Sequence, residues 1–119
     1  MGEYKFQSLY VYQLAIDYID RVYDIVFDLP DNERFNLSSQ LVRASTSIAL
    51  NIAEGSTGLS DREQIRFLSR ALRSYLESVA CPDLIEKRKY LTPEALMGIR
   101  KLGRNLFYKI TRFQNALRQ

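Results

Sequence analysis

The stretch Gln40-Leu-Val-Arg43-Ala-Ser-Thr-Ser47-Ile-Ala-Leu-Asn51-Ile-Ala-Glu54-Gly55 decides the fold. At about 100° per residue, Leu37, Leu41, Ala44, Ile48 and Ile52 fall on one arc of a helix. Gln40, Arg43, Ser47, Asn51 and Glu54 fall on a neighbouring arc roughly 80° wide. Ala49 and Ala53 keep the other flank small enough for close packing. An apolar arc, a full-length hydrogen-bonding stripe and a small-residue flank suit a helix that sits among other helices. The stripe is then a buried polar network or a recognition face, and the residues favour the network.

Working outward, three more helical patterns appear and no strand pattern competes. Before the quoted stretch, residues 9–28 place Tyr12, Ala15, Ile16, Ile19, Val22, Tyr23 and Val26 at helical spacing. Leu29-Pro30-Asp31 ends that segment, because the residue before a proline avoids the helical region. The quoted helix opens at Asn36 or Ser38 as N-cap and closes at Gly55, read as the C′ residue past its end. A loop, Ser56-Thr-Gly58-Leu-Ser60, follows. The third segment begins with Ser60-Asp-Arg-Glu63, a capping box in which Ser60 and Glu63 satisfy each other's free amides. It carries Phe67, Leu68, Ala71, Leu72, Tyr75, Val79 and Leu84, and Pro82 is expected to kink it or break its final turns. The fourth opens at Thr92-Pro93-Glu94 and carries Leu96, Ile99, Leu102, Leu106, Ile110, Phe113 and Leu117. Gly98 and Gly103 either weaken it or admit close approach of a neighbour. The expectation is one domain over residues 1–119, an all-α, antiparallel up-and-down four-helix bundle.

Composition narrows the function. A chain of 119 residues with 46% hydrophobic content is large enough for a real core. Cys81 is the single cysteine, no signal-peptide pattern is visible, and no apolar run approaches the roughly 18 residues of a membrane span. A cytoplasmic protein without membrane contact is expected. The chain contains no histidine, which removes His-based triads, common His metal sites and the Glu-x-x-His pairs of di-iron bundles. Glu54 and Glu77 are the carboxylates that could still sit inward, but such pairs more often meet arginine. Cys81, beside Pro82, has no base to activate it and reads as an inert buried thiol. Ser45, Ser47 and Ser74 lack a base, and Gly55-Ser-Thr-Gly58 lacks the Lys-Ser/Thr ending of a phosphate-binding loop. No catalytic residue, metal or cofactor is expected, and the chain reads as no enzyme.

Charge is the remaining signal. Net charge is +3, but residues 1–60 hold four Lys/Arg against eight Asp/Glu, and the rest holds thirteen against six. Arg62, Arg66, Arg70 and Arg73 share one face of the third helix; Lys101, Arg104, Tyr108 and Arg112 share one face of the fourth. Such rows can track a phosphate backbone, with tyrosine stacking a base. They can equally be solvated faces, or partners for the acidic stripe Asp17, Asp20, Asp24 and Asp28 within one subunit or across a boundary. Eight Tyr and six Phe are generous for a small bundle. Tyr4, Phe6, Tyr10 and Tyr12 cannot all reach one core, which favours an oligomer interface.

At these residues the chain resembles a known family, the four-helix bundle proteins encoded in 23S ribosomal RNA intervening sequences. The resemblance is carried by Leu9-Tyr-Val-Tyr12 with Ala15, Leu29-Pro30 with Glu33, Leu37-Ser-Ser-Gln40, Arg43-Ala44, Ser47-Ile48 and Asn51-Ile-Ala-Glu54-Gly55. Phe67-Leu68, Ala71, Ser74, Glu77 and Tyr90-Leu91 extend it over nearly the whole chain. It implies an up-and-down bundle that closes into a ring, a homopentamer, with no catalytic activity. The family's similarity to the accessory protein of diversity-generating retroelements implies a basic ring that binds RNA or a reverse transcriptase. Three positions depart from the family pattern. Thr57-Gly58-Leu59 stands where an arginine is usual, Arg73 where a glycine is, and Pro82 where a leucine is.

The stripe and the motif coincide, so Arg43, Asn51, Glu54 and Glu77, with Gln40 and Ser47, are expected to form a buried or interface network that fixes bundle register and ring closure. Two functions stay open. One is sequence-tolerant RNA or nucleic-acid binding through Arg62, Arg66, Arg70, Arg73, Lys101, Arg104 and Arg112. The other is a scaffold or accessory subunit whose basic stripes are consumed in protein contacts.

Overall fold

Four helices run up and down: α1 (Tyr10–Phe27), α2 (Leu37–Gly55), α3 (Asp61–Lys87) and α4 (Pro93–Leu117). The computed structural model describes residues 3–58 and 60–119; Leu59, in the loop that departs from the family pattern, lies outside them. Short 3₁₀ turns at Lys5–Ser8 and Asp31–Glu33 precede α1 and α2. Each helix packs on its neighbour in sequence and α4 closes the square against α1, giving an elongated body of 44 × 25 × 23 Å. The 27-residue α3, about 40 Å long at 1.5 Å per residue, sets the long axis.

The core follows the apolar arcs. Leu37, Leu41, Ala44, Ile48 and Ile52 of α2 are all buried. On α1 the core stripe is Val11, Leu14, Ala15, Tyr18, Val22 and Ile25, rotated from the expected one. Ile16 and Tyr23 are exposed, while Tyr12, Ile19 and Val26 are half-buried. Helix α1 carries two adjacent apolar stripes, and a single protomer buries only one of them. On α3, Leu84 is exposed and Ser78, Cys81 and Ile85 take the inner positions.

Helix ends match the sequence in part. Thr92 caps α4, its Oγ1 accepting from Ala95 N–H at 3.1 Å, with Pro93 first in the helix. Ser60 Oγ accepts from Glu63 N–H at 3.2 Å, but the Glu63 carboxylate takes Arg66 at 2.7 Å, so only half of the capping box forms. Gly55 is the last residue of α2 and has no left-handed backbone; Ser56 is the cap and Gly58, at φ 87°, makes the turn. A Cβ at Gly55 would lie 2.6 Å from Phe67 Cβ, so this glycine serves the close approach of α3 to α2. Orphan carbonyls there are met by side chains: Ser56 Oγ donates to Ile52 O at 3.0 Å and Thr57 Oγ1 to Glu54 O at 3.0 Å.

Pro82 does not end α3, which continues to Lys87 with Pro82 buried inside it. The helix ends instead at Lys89, held left-handed at φ 61°. Lys89 N–H donates to Glu86 O at 2.9 Å and Tyr90 N–H to Ile85 O at 3.1 Å, the paired bonds of a Schellman end.

Candidate nucleic-acid interface

The seven expected cations, Arg62, Arg66, Arg70, Arg73, Lys101, Arg104 and Arg112, are all exposed. They stand on the outer faces of α3 and α4, which are adjacent in the square. Helical geometry explains the placement: on each helix the cations lie opposite the buried arc. Among the described residues, only Arg66 of the seven has a carboxylate partner, Glu63 in its own helix. Arg70 lies over the Phe67 ring at 4.8 Å, and Arg112 lies over Tyr108 at 5.6 Å while donating to its hydroxyl at 3.1 Å. These contacts pre-orient the guanidiniums without neutralising them.

Asp17, Asp20 and Asp24 on α1 and Asp28 at its C-cap are exposed and make no ion pair with these cations among the described residues. Arg100, which the sequence did not single out, is the arginine that carboxylates do occupy. Glu86 accepts from it at 2.6 Å and Asp83 at 3.1 Å, joining α4 to α3. The Glu86 hydrogen bond leads in raising the Arg100 pKa further, so its charge is fixed and already matched.

The polar stripe of α2 divides in two. Ser47 Oγ and Ser74 Oγ lie 2.9 Å apart across the α2–α3 contact, and Asn51 Nδ2 donates to Ser47 O at 2.9 Å and Ser47 Oγ at 3.1 Å. Gln40 Nε2 donates to Asn36 Oδ1 at 2.7 Å, at the start of the helix. Arg43, Glu54 and Glu77 are exposed, and their side chains have no partner among the described residues. Burial within the protomer is therefore not the setting of these three. In the antiparallel register set by Gly55 with Phe67 and Ser47 with Ser74, Arg43 and Glu77 stand at about the same level of the α2–α3 pair, while Glu54 lies about 16 Å further along α2.

The buried polar links lie elsewhere. Tyr18 of α1 reaches across the bundle to Ser78 of α3, O to O 2.8 Å. Ser78 Oγ donates to Tyr75 O at 2.6 Å, so its single proton is used and the Tyr18 hydroxyl donates to it. Burial pushes the Tyr18 phenol up to about 12, against the smaller opposite effect of that hydrogen bond. Gln114, 5% exposed, donates to Ile65 O at 3.0 Å and Ser69 Oγ at 2.6 Å, tying α4 to α3. The helical spacing of Tyr18 with Leu14, Val22 and Ile25 was the signal available for the first of these. Gln114 falls four residues after Ile110 and eight after Leu106, so the same helical spacing was its signal. Tyr90 donates to Glu33 Oε2 at 2.8 Å, the leading cause that lowers the Glu33 pKa, and pins the α3–α4 turn to the α1–α2 connection.

Cys81 is buried, and burial first, then Glu77, raises its thiol pKa. Among the described residues no group of three or more Cys, Asp or Glu could hold a metal ion. No described helix is long and apolar enough to cross a membrane.

The molecule is thus an antiparallel four-helix bundle, and among the described residues six exposed cations without a carboxylate partner face outward on its neighbouring helices α3 and α4. It belongs to the 23S rRNA-intervening sequence protein family, whose model matches residues 7–112. It is similar in fold to a crystal structure described as a protein with unknown function from the S23 ribosomal protein family of Bacteroides thetaiotaomicron. That match has a TM-score of 0.80 and 23% identity, covering 87% of this chain and 97% of the other. No curated protein matches the chain.

Proposed function

We propose that this protein is a non-catalytic, oligomeric RNA-binding bundle of the cytoplasm, contacting RNA or other nucleic acid mainly through phosphates. The observation that carries the reading is the set of seven exposed cations on α3 and α4, six of them without a carboxylate partner among the described residues. Phosphates are the chemistry such rows suit, and binding of that kind is sequence-tolerant and steeply salt-dependent. Self-association is supported by the second apolar stripe of α1, with exposed Ile16 and Tyr23, and by Phe27 and Phe35, each 88% exposed. Ring closure as a homopentamer follows from the family resemblance. A second reading, an accessory subunit that docks on a protein such as a reverse transcriptase, draws on the same exposed apolar side chains.

The test is binding of labelled structured RNA across a salt series, with Arg66→Glu/Arg70→Glu alongside. Micromolar or tighter binding that weakens steeply with salt and fails in the double variant supports the RNA reading. Absence of binding at low salt refutes it and leaves the subunit reading.

A further inference from the structure

The groove between α3 and α4 holds two depressions, of ≈ 230 and ≈ 390 Å³, that share Tyr75, Val79 and Arg104. Tyr18, Pro82 and Ile99 complete the walls of the first, and Leu76 and Phe107 those of the second. Two arginines stand at this groove, and they differ in kind. Arg100 is held by Glu86 and Asp83, whereas Arg104 has no carboxylate partner among the described residues. Gly103 admits the Tyr75 ring of this groove close to α4, since a Cβ there would lie 2.8 Å from the Tyr75 hydroxyl.

From this we infer that the groove is a base-binding site for unpaired RNA. The inference rests on the reading of the basic faces as a nucleic-acid surface, and it names the kind of RNA they take. A flat apolar body with one negative charge is what an apolar groove with a single unmatched cation selects. A nucleotide is that ligand: its base enters against Leu76, Val79 and Phe107, and its phosphate meets Arg104. Bases held in a duplex cannot enter, because their faces are stacked and their edges paired. Beyond Arg104, one face of α4 carries Tyr108 and Arg112 at successive steps of about 6 Å. Tyr108, exposed and bonded to Arg112, offers the next base a ring and the next phosphate a charge. Leu76 is 56% exposed at the groove mouth, an apolar side chain open to a ligand.

The experiment compares a short single-stranded RNA carrying a fluorescent adenine analogue with the same strand annealed to its complement. Wild type, Arg104→Gln and Leu76→Gln are measured at one salt concentration; both substitutions are at exposed positions, and thermal melts confirm folding. The expected result is single-strand binding roughly tenfold tighter than duplex binding, with a change in analogue fluorescence. Leu76→Gln removes that preference and leaves duplex binding close to wild type, whereas Arg104→Gln removes it and also weakens duplex binding modestly, because it deletes one of the seven phosphate-facing cations. Equal binding of both RNAs, unchanged fluorescence and wild-type behaviour of the variants overturn the base site and leave the basic-surface reading standing. Failure of both RNAs to bind at low salt overturns both. A change in native mass in the variants, with RNA affinity unaltered, overturns the site by making the groove a contact between copies of the chain.

Discussion

Replacing Gly55 by alanine tests whether the motif glycine serves packing or turn geometry. The alanine Cβ would sit 2.6 Å from Phe67 Cβ, a carbon fixed by its own backbone. Ordinary carbon contacts lie at about 3.5–4.0 Å, so α2 and α3 must separate locally by about 1 Å. Such overpacking costs about 1–3 kcal/mol. Helix propensity returns at most about 1 kcal/mol, and less at a helix end. The net expectation is a loss of about 1–2 kcal/mol, lowering Tm by about 4–8 °C for a chain of this size. Gly98→Ala is the matched control. Its Cβ would meet the mobile Arg21 guanidinium at 3.3 Å, so the propensity gain survives and stability rises by up to about 1 kcal/mol. Asn at Gly55 separates the two explanations, since a left-handed C′ position tolerates Asn. Packing ranks Asn below Ala; a turn requirement ranks it near wild type. Circular-dichroism melts and urea titrations read all three variants. Gly55→Ala as stable as Gly98→Ala would refute the packing argument.

The remaining predictions concern buried links and one strained residue. Ser78→Ala leaves the Tyr18 hydroxyl without its acceptor and is expected to cost about 1–3 kcal/mol, while Tyr18→Phe/Ser78→Ala together cost less than the two singles summed; additive urea midpoints would count against the link. Tyr18 keeps its proton to about pH 12 when folded, whereas an unfolded tyrosine loses it near 10. The folded state then binds more protons than the unfolded one between those values, so stability falls as pH rises through that window. Tyr18→Phe should flatten that fall, read by melts across the alkaline range. Lys89→Gly, at φ 61°, should stabilise by about 1 kcal/mol by relieving a left-handed lysine; an unchanged or lower Tm would deny that strain.

The fold was legible because its signals are local. Helix boundaries follow from Pro30, Ser60 and Thr92-Pro93, and the α2 arc from a spacing that one helix alone determines. What was not legible depends on partners distant in sequence. Gly55 does end α2, but its spacing suggested a left-handed C′ residue, whereas its constraint is the close approach of Phe67 on another helix. The α1 face was right for Ala15 and Val22 but rotated away from Ile16 and Tyr23, because two apolar stripes compete and only the neighbours decide which is buried. Of the kink or break expected at Pro82, the break does not occur, and the helix continues to Lys87. On α3 and α4, outward placement of the cations followed from spacing, while the difference between Arg100 and Arg104 did not. Asp83 and Glu86 lie on α3, and only the closed bundle brings them to α4.

The charge split between the halves of the chain is not cancelled by folding. Acidic residues 17, 20, 24 and 28 stay on α1 and its C-cap and the arginines stay on α3 and α4, so the protomer keeps an acidic and a basic side. Two uses of that polarity compete for the same guanidiniums: phosphates, or the carboxylates of a neighbouring copy. Both weaken with salt, so salt dependence alone cannot separate them. Charge reversal can. Glutamates in place of Arg66 and Arg70 repel phosphate and neighbouring carboxylate alike, whereas lysines in place of Asp20 and Asp24 weaken only the contact between copies. An RNA affinity that survives the lysines and not the glutamates assigns the arginines to phosphate, and the acidic side is then left for protein.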